Sequence, residues 1–299
     1  MTPGDKICLR GEIVGQEALL PALGELVGAN YICQDIHTLA HRPYRAARHL
    51  ELAAGSLHAI YGVSDGVPTV GELEEAIERL LRENSYPRGS NIVRLRMLPG
   101  LWMASCERQS LYEGFVLWHS RPAAIAVRYE LSFPGHQCAA TQMCAAVADS
   151  YAVRCGAAIA LRSVALGGGA EALVGPGDTA LVGIRDRVGW LTPVEYGAIE
   201  SVWRDTALET CARAGIELRH EPIVWGGGGH ETVRGKEREA VGSGFEVFES
   251  IGRETFGGGW DEMMLFTPLG VTSLKSLDGK VFYNTSALKA SMALPNMTL

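Results

Sequence analysis

The sequence predicts an α/β (α+β) protein of two lobes, a small N-terminal lobe over residues 1–133 and a larger C-terminal lobe over residues 134–299. Three observations lead there. Strand-like and helix-like segments alternate along the chain, and Pro134-Gly135 interrupts them near the middle. The length of 299 residues, 47% of them hydrophobic, also favours two lobes over one.

Taken in order, residues 7–14 form a strand and turn around Arg10-Gly11-Glu12, and a second strand covers 31–36. A helix is predicted over 43–61. Residues 70–84 are amphipathic: Leu73, Ile77, Leu80 and Leu81 share one helical face, opposite Glu72, Glu75, Glu78, Arg79 and Arg82. Strands at 91–97, 114–118 and 123–131 complete the small lobe. Beyond the Pro-Gly break an Ala/Cys-rich helix spans 139–155, followed by strands at 159–164, 179–185 and 189–191. A helix over 201–214 and a strand over 216–223 come next. Residues 226–259 are Gly-rich, with one short helix at 245–251. Strands at 263–266 and 272–277 lead to a tight turn at Asp278-Gly279, and 281–283 pairs back.

Composition excludes several classes. A formal net charge of −7 argues against nucleic acid and anionic membrane as partners. No apolar run reaches the roughly 18 residues that span a bilayer, and the first residues lack a signal-peptide layout. Seven scattered cysteines without a CxxC pair point to reduced thiols, so a cytoplasmic location is expected. His119, His136, His220 and His230 lack metal-site spacing, so no metal is predicted. Gly167-Gly168-Gly169 lacks the dinucleotide fingerprint. The run from Gly226 to His230 has no G-x-S-x-G elbow beside it, which favours a lid or an intersubunit loop over a hydrolase.

Several short motifs then occur in a telling order. They are Arg10-Gly11-Glu12; His49-Leu50-Glu51-Leu52 with Ser56; Ile92-Val93-Arg94-Leu95 with Gly100; and Gly189-Trp190-Leu191-Thr192-Pro193. Arg204-Asp205 followed by residues 212–218, and Asp261-Glu262 followed by residues 271–279, continue the series. This order resembles the fold-type IV pyridoxal-phosphate enzymes: branched-chain aminotransferases, D-amino-acid aminotransferases and 4-amino-4-deoxychorismate lyases. The resemblance implies their two-lobed fold, a cleft between the lobes and a homodimer.

It also exposes what differs. The phosphate-binding arginine of the family's H-x-x-R motif is matched by Leu52. Counting back about nineteen residues from Gly156 to the Schiff-base lysine reaches Gln137. Val174 stands in place of the glutamate that pairs with the pyridine nitrogen, and Trp203 falls in the phosphate-wrapping turn, leaving Thr267 from the second one. There is no lysine between Lys6 and Lys236; of 27 Lys+Arg, five are lysine. Arginine cannot replace a Schiff-base lysine, because guanidinium does not deprotonate. The sequence therefore predicts no pyridoxal phosphate and no other cofactor, with Lys236 the only plausible rescuing amine.

What remains is a vacated cleft for a small, carboxylated substrate. His136 would serve as general acid or base if it faces inward, and as a structural histidine if not. Gln137 either lines the cleft or fills space. Tyr31 and Cys33 lie on a strand that lines the family's pocket, although Cys33 also suits an ordinary buried thiol. Arg94 sits where family members hold a substrate carboxylate. Thr179, Trp203 and Thr267 complete the expected substrate contacts. The predicted activity is cofactor-independent acid–base chemistry of a lyase, isomerase or cyclase in specialised metabolism. A non-catalytic pseudoenzyme and a pyridoxal-phosphate enzyme with an unusual lysine are the alternatives.

Overall fold

The computed structural model describes residues 6–15, 17, 28–109, 116–118, 121–226 and 259–295. The predicted helix at 245–251 and the Gly-rich stretch around it lie outside them.

The first half builds one antiparallel sheet. The hairpin of β1 (Lys6–Leu9) and β2 (Glu12–Gly15) joins β3 (Ile32–Leu39), β4 (Arg42–Pro43), β5 (Asn91–Leu98) and β6 (Leu101–Gln109) in the order β2-β1-β6-β5-β3-β4. Alternation along β3 sends Ile32 and Ile36 to one face, where α1 (Ala46–Tyr61) and α2 (Val70–Glu83) cover them. The predicted stripe on α2 is that helix's buried face: Leu73, Ile77, Leu80 and Leu81 are all fully buried. Thr69 starts α2 through a capping box with Glu72. The opposite face of β3 carries Cys33, Asp35 and His37, and it is covered by the second half of the chain.

That half stacks two further six-stranded sheets. One has the order β14-β10-β9-β8-β17-β18, from Ile223–Trp225, Ala170–Val174, Ile159–Gly167, Ala123–Arg128, Ser276–Leu277 and Lys280–Val281. The other has the order β13-β12-β11-β15-β16-β7, from Leu218–Arg219, Val188–Trp190, Ala180–Arg185, Glu262–Thr267, Gly270–Ser273 and Val116–Trp118. Leu161, Leu173, Trp190, Ile223, Trp260 and Leu265 belong to the core shared by these two sheets. Helix α3 (Ala139–Arg154) packs on the first of them through Ala148 and Ala152. Helices α4 (Val202–Arg213) and α5 (Thr285–Ala293) pack on the second.

Strands β7 and β8 pair with β16 and with β9 and β17. Residues 116–118 and 123–128, placed in the small lobe by their sequence, therefore pair within the sheets of the larger one. A strand-like pattern specifies an extended segment, not its partner.

Candidate active site

Five pieces of chain meet where the second face of β3 is covered. Asp35 and Arg94 are directly opposed in the register of β3 and β5, as are Cys33 and Arg96, so all four share one face. The loop before α3 is pinned to the start of β3 by main-chain bonds, Cys33 N–H to Gln137 O at 3.2 Å and Ala139 N–H to Tyr31 O at 2.8 Å. The turn after β10 supplies Asp178, and the first turn of α4, capped by Ser201, supplies Trp203.

Asp178 is the centre of this arrangement. It is only 8% exposed, and its Oδ2 accepts the indole Nε1–H of Trp203 at 3.1 Å. Burial, reinforced by the charge of Asp35, pushes its carboxyl up to about 7, against the partial relief of the Trp203 bond and Arg94. A buried carboxyl with its pKa raised this far can both give and take a proton near neutral pH. Trp203 is fully buried; its ring stacks on Tyr44 at 6.3 Å and meets His49 edge-on at 6.1 Å. His49 is held by Gln34 at 2.9 Å, and burial followed by the charge of Arg45 lowers its pKa to about 3.

The residues singled out from the sequence are placed as follows. Arg94 makes a two-bond fork with Asp35, Nε to Oδ1 at 2.6 Å and Nη2 to Oδ2 at 2.8 Å, so it is already engaged by a carboxylate of the chain. Gln137 is 3% exposed, and its side-chain Oε1 has no hydrogen-bond partner among the described residues. Cys33 is fully buried opposite it, and burial then Asp35 raise its thiol pKa far from the reactive range. His136 turns to Ser56, Nδ1 to Oγ at 3.2 Å, and its carbonyl accepts from Thr141 at 2.9 Å. Tyr31 lies beside the Arg96 guanidinium at 6.0 Å. Thr179 donates to Pro176 O at 2.7 Å and closes its own turn, beside a small cavity also lined by Val174, Gly175, Ile199 and Arg204. Thr267 closes the β15–β16 turn through Leu269 and Gly270. The structure thus gathers Cys33, Gln137, Arg94 and Trp203 around Asp178 and Asp35, gives Thr179 and Thr267 local hydrogen-bonding roles, and turns His136 to Ser56 of the other lobe.

The two aspartates were not singled out from the sequence. Asp178 sits within a Pro-Gly-Asp-Thr turn, where an acid is ordinary turn chemistry. Asp35 becomes visible once the β3–β5 register is known. Among the described residues, no group of three or more His, Cys, Asp and Glu is placed to hold a metal ion. No helix among them is long and apolar enough to cross a membrane.

This architecture is the fold-type IV aminotransferase-like fold. No family model and no curated protein sequence matches the chain, whereas solved structures match nearly end to end. A branched-chain amino acid aminotransferase from Escherichia coli superposes with a TM-score of 0.69 at 15% identity, over 99% of this chain and 97% of that one. A second branched-chain amino acid aminotransferase, from T.th., with pyridoxamine 5'-phosphate, gives 0.67 at 17%, over 98% and 94%. A fold IV-transaminase from Curtobacterium pusillum gives 0.64 at 14%, over 90% and 86%.

These neighbours correct one expectation, that the cleft takes no cofactor. The T.th. enzyme is seen with pyridoxamine 5'-phosphate and with N-(5'-phosphopyridoxyl)-L-glutamate, so the fold points to pyridoxal phosphate rather than to none. The sequence argument rested on individual side chains, and a fold conserves a pocket's location even where those change. The described residues do not complete the covalent form of such a site. Lys6 pairs with Glu83, Lys275 and Lys289 are exposed, and Lys280 lies over the Phe282 ring at 5.9 Å. Leu52 is apolar and buried. Lys236 lies outside the described residues.

Proposed function

We propose that the protein is an enzyme on an aminotransferase class IV-like scaffold that moves a proton on a small carboxylated metabolite, with Asp178 as the acid–base group. The observation that carries this reading is a buried carboxyl with a raised pKa, bonded to Trp203 and lying within the field of Asp35 and Arg94. With Asp178 protonated, Arg94 and Arg96 outnumber Asp35 on the facing sheet, which favours an anionic substrate. Gln137 Oε1 offers an unused acceptor for a substrate hydroxyl or amine. Lyase, isomerase and cyclase reactions all fit such a set. We also propose a cytoplasmic homodimer with the cleft between its lobes, which light scattering at micromolar concentration checks.

The test is proton exchange. A panel of small hydroxy, keto and amino acids in D2O, followed by proton NMR, should show one member losing a C–H signal with the wild-type protein. Asp178→Asn, which keeps an oxygen for Trp203, should abolish the exchange. Equal exchange by the variant, or none with any compound at high protein concentration, overturns the assignment and leaves a ligand-binding protein.

The solved neighbours with pyridoxal-phosphate derivatives support a second reading, a pyridoxal-phosphate-dependent aminotransferase or lyase; by the sequence, its amine would come from Lys236. Absorbance in the internal-aldimine region after incubation with pyridoxal phosphate, and borohydride labelling of Lys236, would support it. An unlabelled Lys236 would remove it.

A further inference from the structure

The carboxyl of Asp178 is 8% exposed, and its neighbours are more deeply buried still. Cys33 and Trp203 are 0% exposed, and Gln137 is 3% exposed. The small lobe is fastened over them at both ends of β3, by different chemistry. At its start the ties include two main-chain bonds, Cys33 to Gln137 and Ala139 to Tyr31, with Ala140 N–H donating to Asn30 Oδ1 at 2.9 Å and His136 bonding Ser56 at 3.2 Å beside them. Past its end, the residues that begin α1 reach across to α4 with side chains alone. Arg45 pairs with Glu209, Arg48 Nε donates to Asp205 Oδ2 at 2.8 Å, and Tyr44 meets the Thr206 hydroxyl at 3.4 Å. Tyr44 and His49 also pack their rings on Trp203. The His37 side chain also bonds the Pro268 carbonyl from the end of β3.

The four charged side chains between α1 and α4 are each about 30% exposed, at 28–32%. Water and salt can replace such pairs, whereas main-chain bonds in a sheet-like bridge hold. Arg45 also holds a left-handed backbone at φ 52° where it caps α1, a conformation that costs a non-glycine residue some free energy.

We propose that the Arg45–Glu209 and Arg48–Asp205 pairs form an ionic clasp. Its release lets the small lobe swing about the Tyr31–Ala139 tie, uncovers Trp203, and admits a small molecule to Asp178 and Gln137. The cleft's use by a ligand rests on the proposed function; the clasp itself does not, and it can be tested without a substrate.

Cys33 reports the opening. Iodoacetamide labelling followed by peptide mass spectrometry gives its rate beside three internal references. Cys155 is exposed and tracks the reagent; Cys8 and Cys211 are 0% exposed in the two separate cores and track unfolding. Arg45→Ala with Arg48→Ala should speed Cys33 labelling about five- to thirtyfold, while Cys8 and Cys211 stay slow. Asp205→Asn with Glu209→Gln should do the same from the other side. Wild-type protein should show the same trend as salt rises to about 1 M, which keeps the test valid if either variant fails to fold. An unchanged Cys33 rate, or one that rises in step with Cys8 and Cys211, overturns the clasp. A clasp that opens in a protein with no proton exchange on any compound would instead refute the proposed activity alone.

Discussion

Trp203 donates its indole N–H to Asp178 at 3.1 Å, and this one bond joins α4 to the turn after β10 beneath the small lobe. It satisfies one oxygen of a carboxyl that water scarcely reaches. Trp203→Phe keeps an aromatic ring but removes the donor. The expected loss is about 1–3 kcal/mol, the cost of a buried acceptor left unmade. Trp203→Ala should lose about 3–5 kcal/mol, because it adds a cavity between Tyr44 and His49. Urea midpoints at an unchanged slope measure both. Equal midpoints for wild type and the phenylalanine variant would show that the bond adds nothing net.

Stability should respond to pH through opposing groups. Asp178 has its folded pKa raised from 3.8 to about 7, so the folded chain holds a proton that the unfolded chain has released. Its contribution is fully present below about pH 4 and is lost as pH rises through about 7. His37 and His49 are the reverse. Burial lowers them from 6.5 to about 4 and about 3, so their contribution is present above pH 6.5 and lost as pH falls through those values. Asp178→Asn should therefore gain stability relative to wild type between about pH 4 and pH 7, with a constant difference above. A difference that does not change with pH would place the Asp178 proton elsewhere.

Much of the fold was legible because long, patterned elements state their own type. The stripe on α2 and its Thr69–Glu72 box are local, as is the Asp278-Gly279 turn. Strand β6 was missed because Ser105, Glu107, Arg108 and Gln109 break its apolar run, and β10 because Gly167-Gly168-Gly169 looks like the start of a loop. Helix α5 was missed because it is short and begins at Asn284 without a side-chain cap. The site was less legible. Arg94 stands out in the sequence as an arginine within an apolar strand, but its partner Asp35 is 59 residues away and appears through strand register. Asp178 owes its character to Trp203, Asp35 and burial, none of which a sequence displays.

The hairpin turn supplies a stability test remote from the cleft. Asp278 accepts the Ala126 N–H at 3.0 Å and the Trp225 indole N–H at 2.9 Å, tying β14 and β8 to the turn. It does so at φ 47°, beside Gly279 at φ 84°, a turn that asparagine and aspartate tolerate best. Asp278→Ala should lose about 2–3 kcal/mol from two bonds and the strained backbone. Asp278→Asn, which keeps the turn geometry and one acceptor, should lose about 1 kcal/mol. Thermal unfolding that ranks the two variants equally would discount the turn's part in the difference.

The Arg94–Asp35 fork makes the most specific prediction, because its two members act on Asp178 in opposite directions. Asp35 raises the proton affinity of Asp178 and Arg94 lowers it. Asp35→Asn should therefore move the Asp178 titration to lower pH, and Arg94→Ala should move it to higher pH. Arg94→Lys keeps the charge without the planar fork, so it should restore the titration more fully than the stability. Arg94→Ala should also cost about 1.5–3 kcal/mol of stability, since it strands a partly buried carboxylate that now has one charge-assisted fork. Carbon-13 NMR of labelled aspartate, assigned by loss of a signal in Asp178→Asn, reads the titration directly. Shifts in the same direction for Asp35→Asn and Arg94→Ala would mean that these variants disturb the cleft's packing rather than its field. Opposite shifts, with stability falling in both, would establish that the cleft is tuned by a charge pair facing it across the lobes.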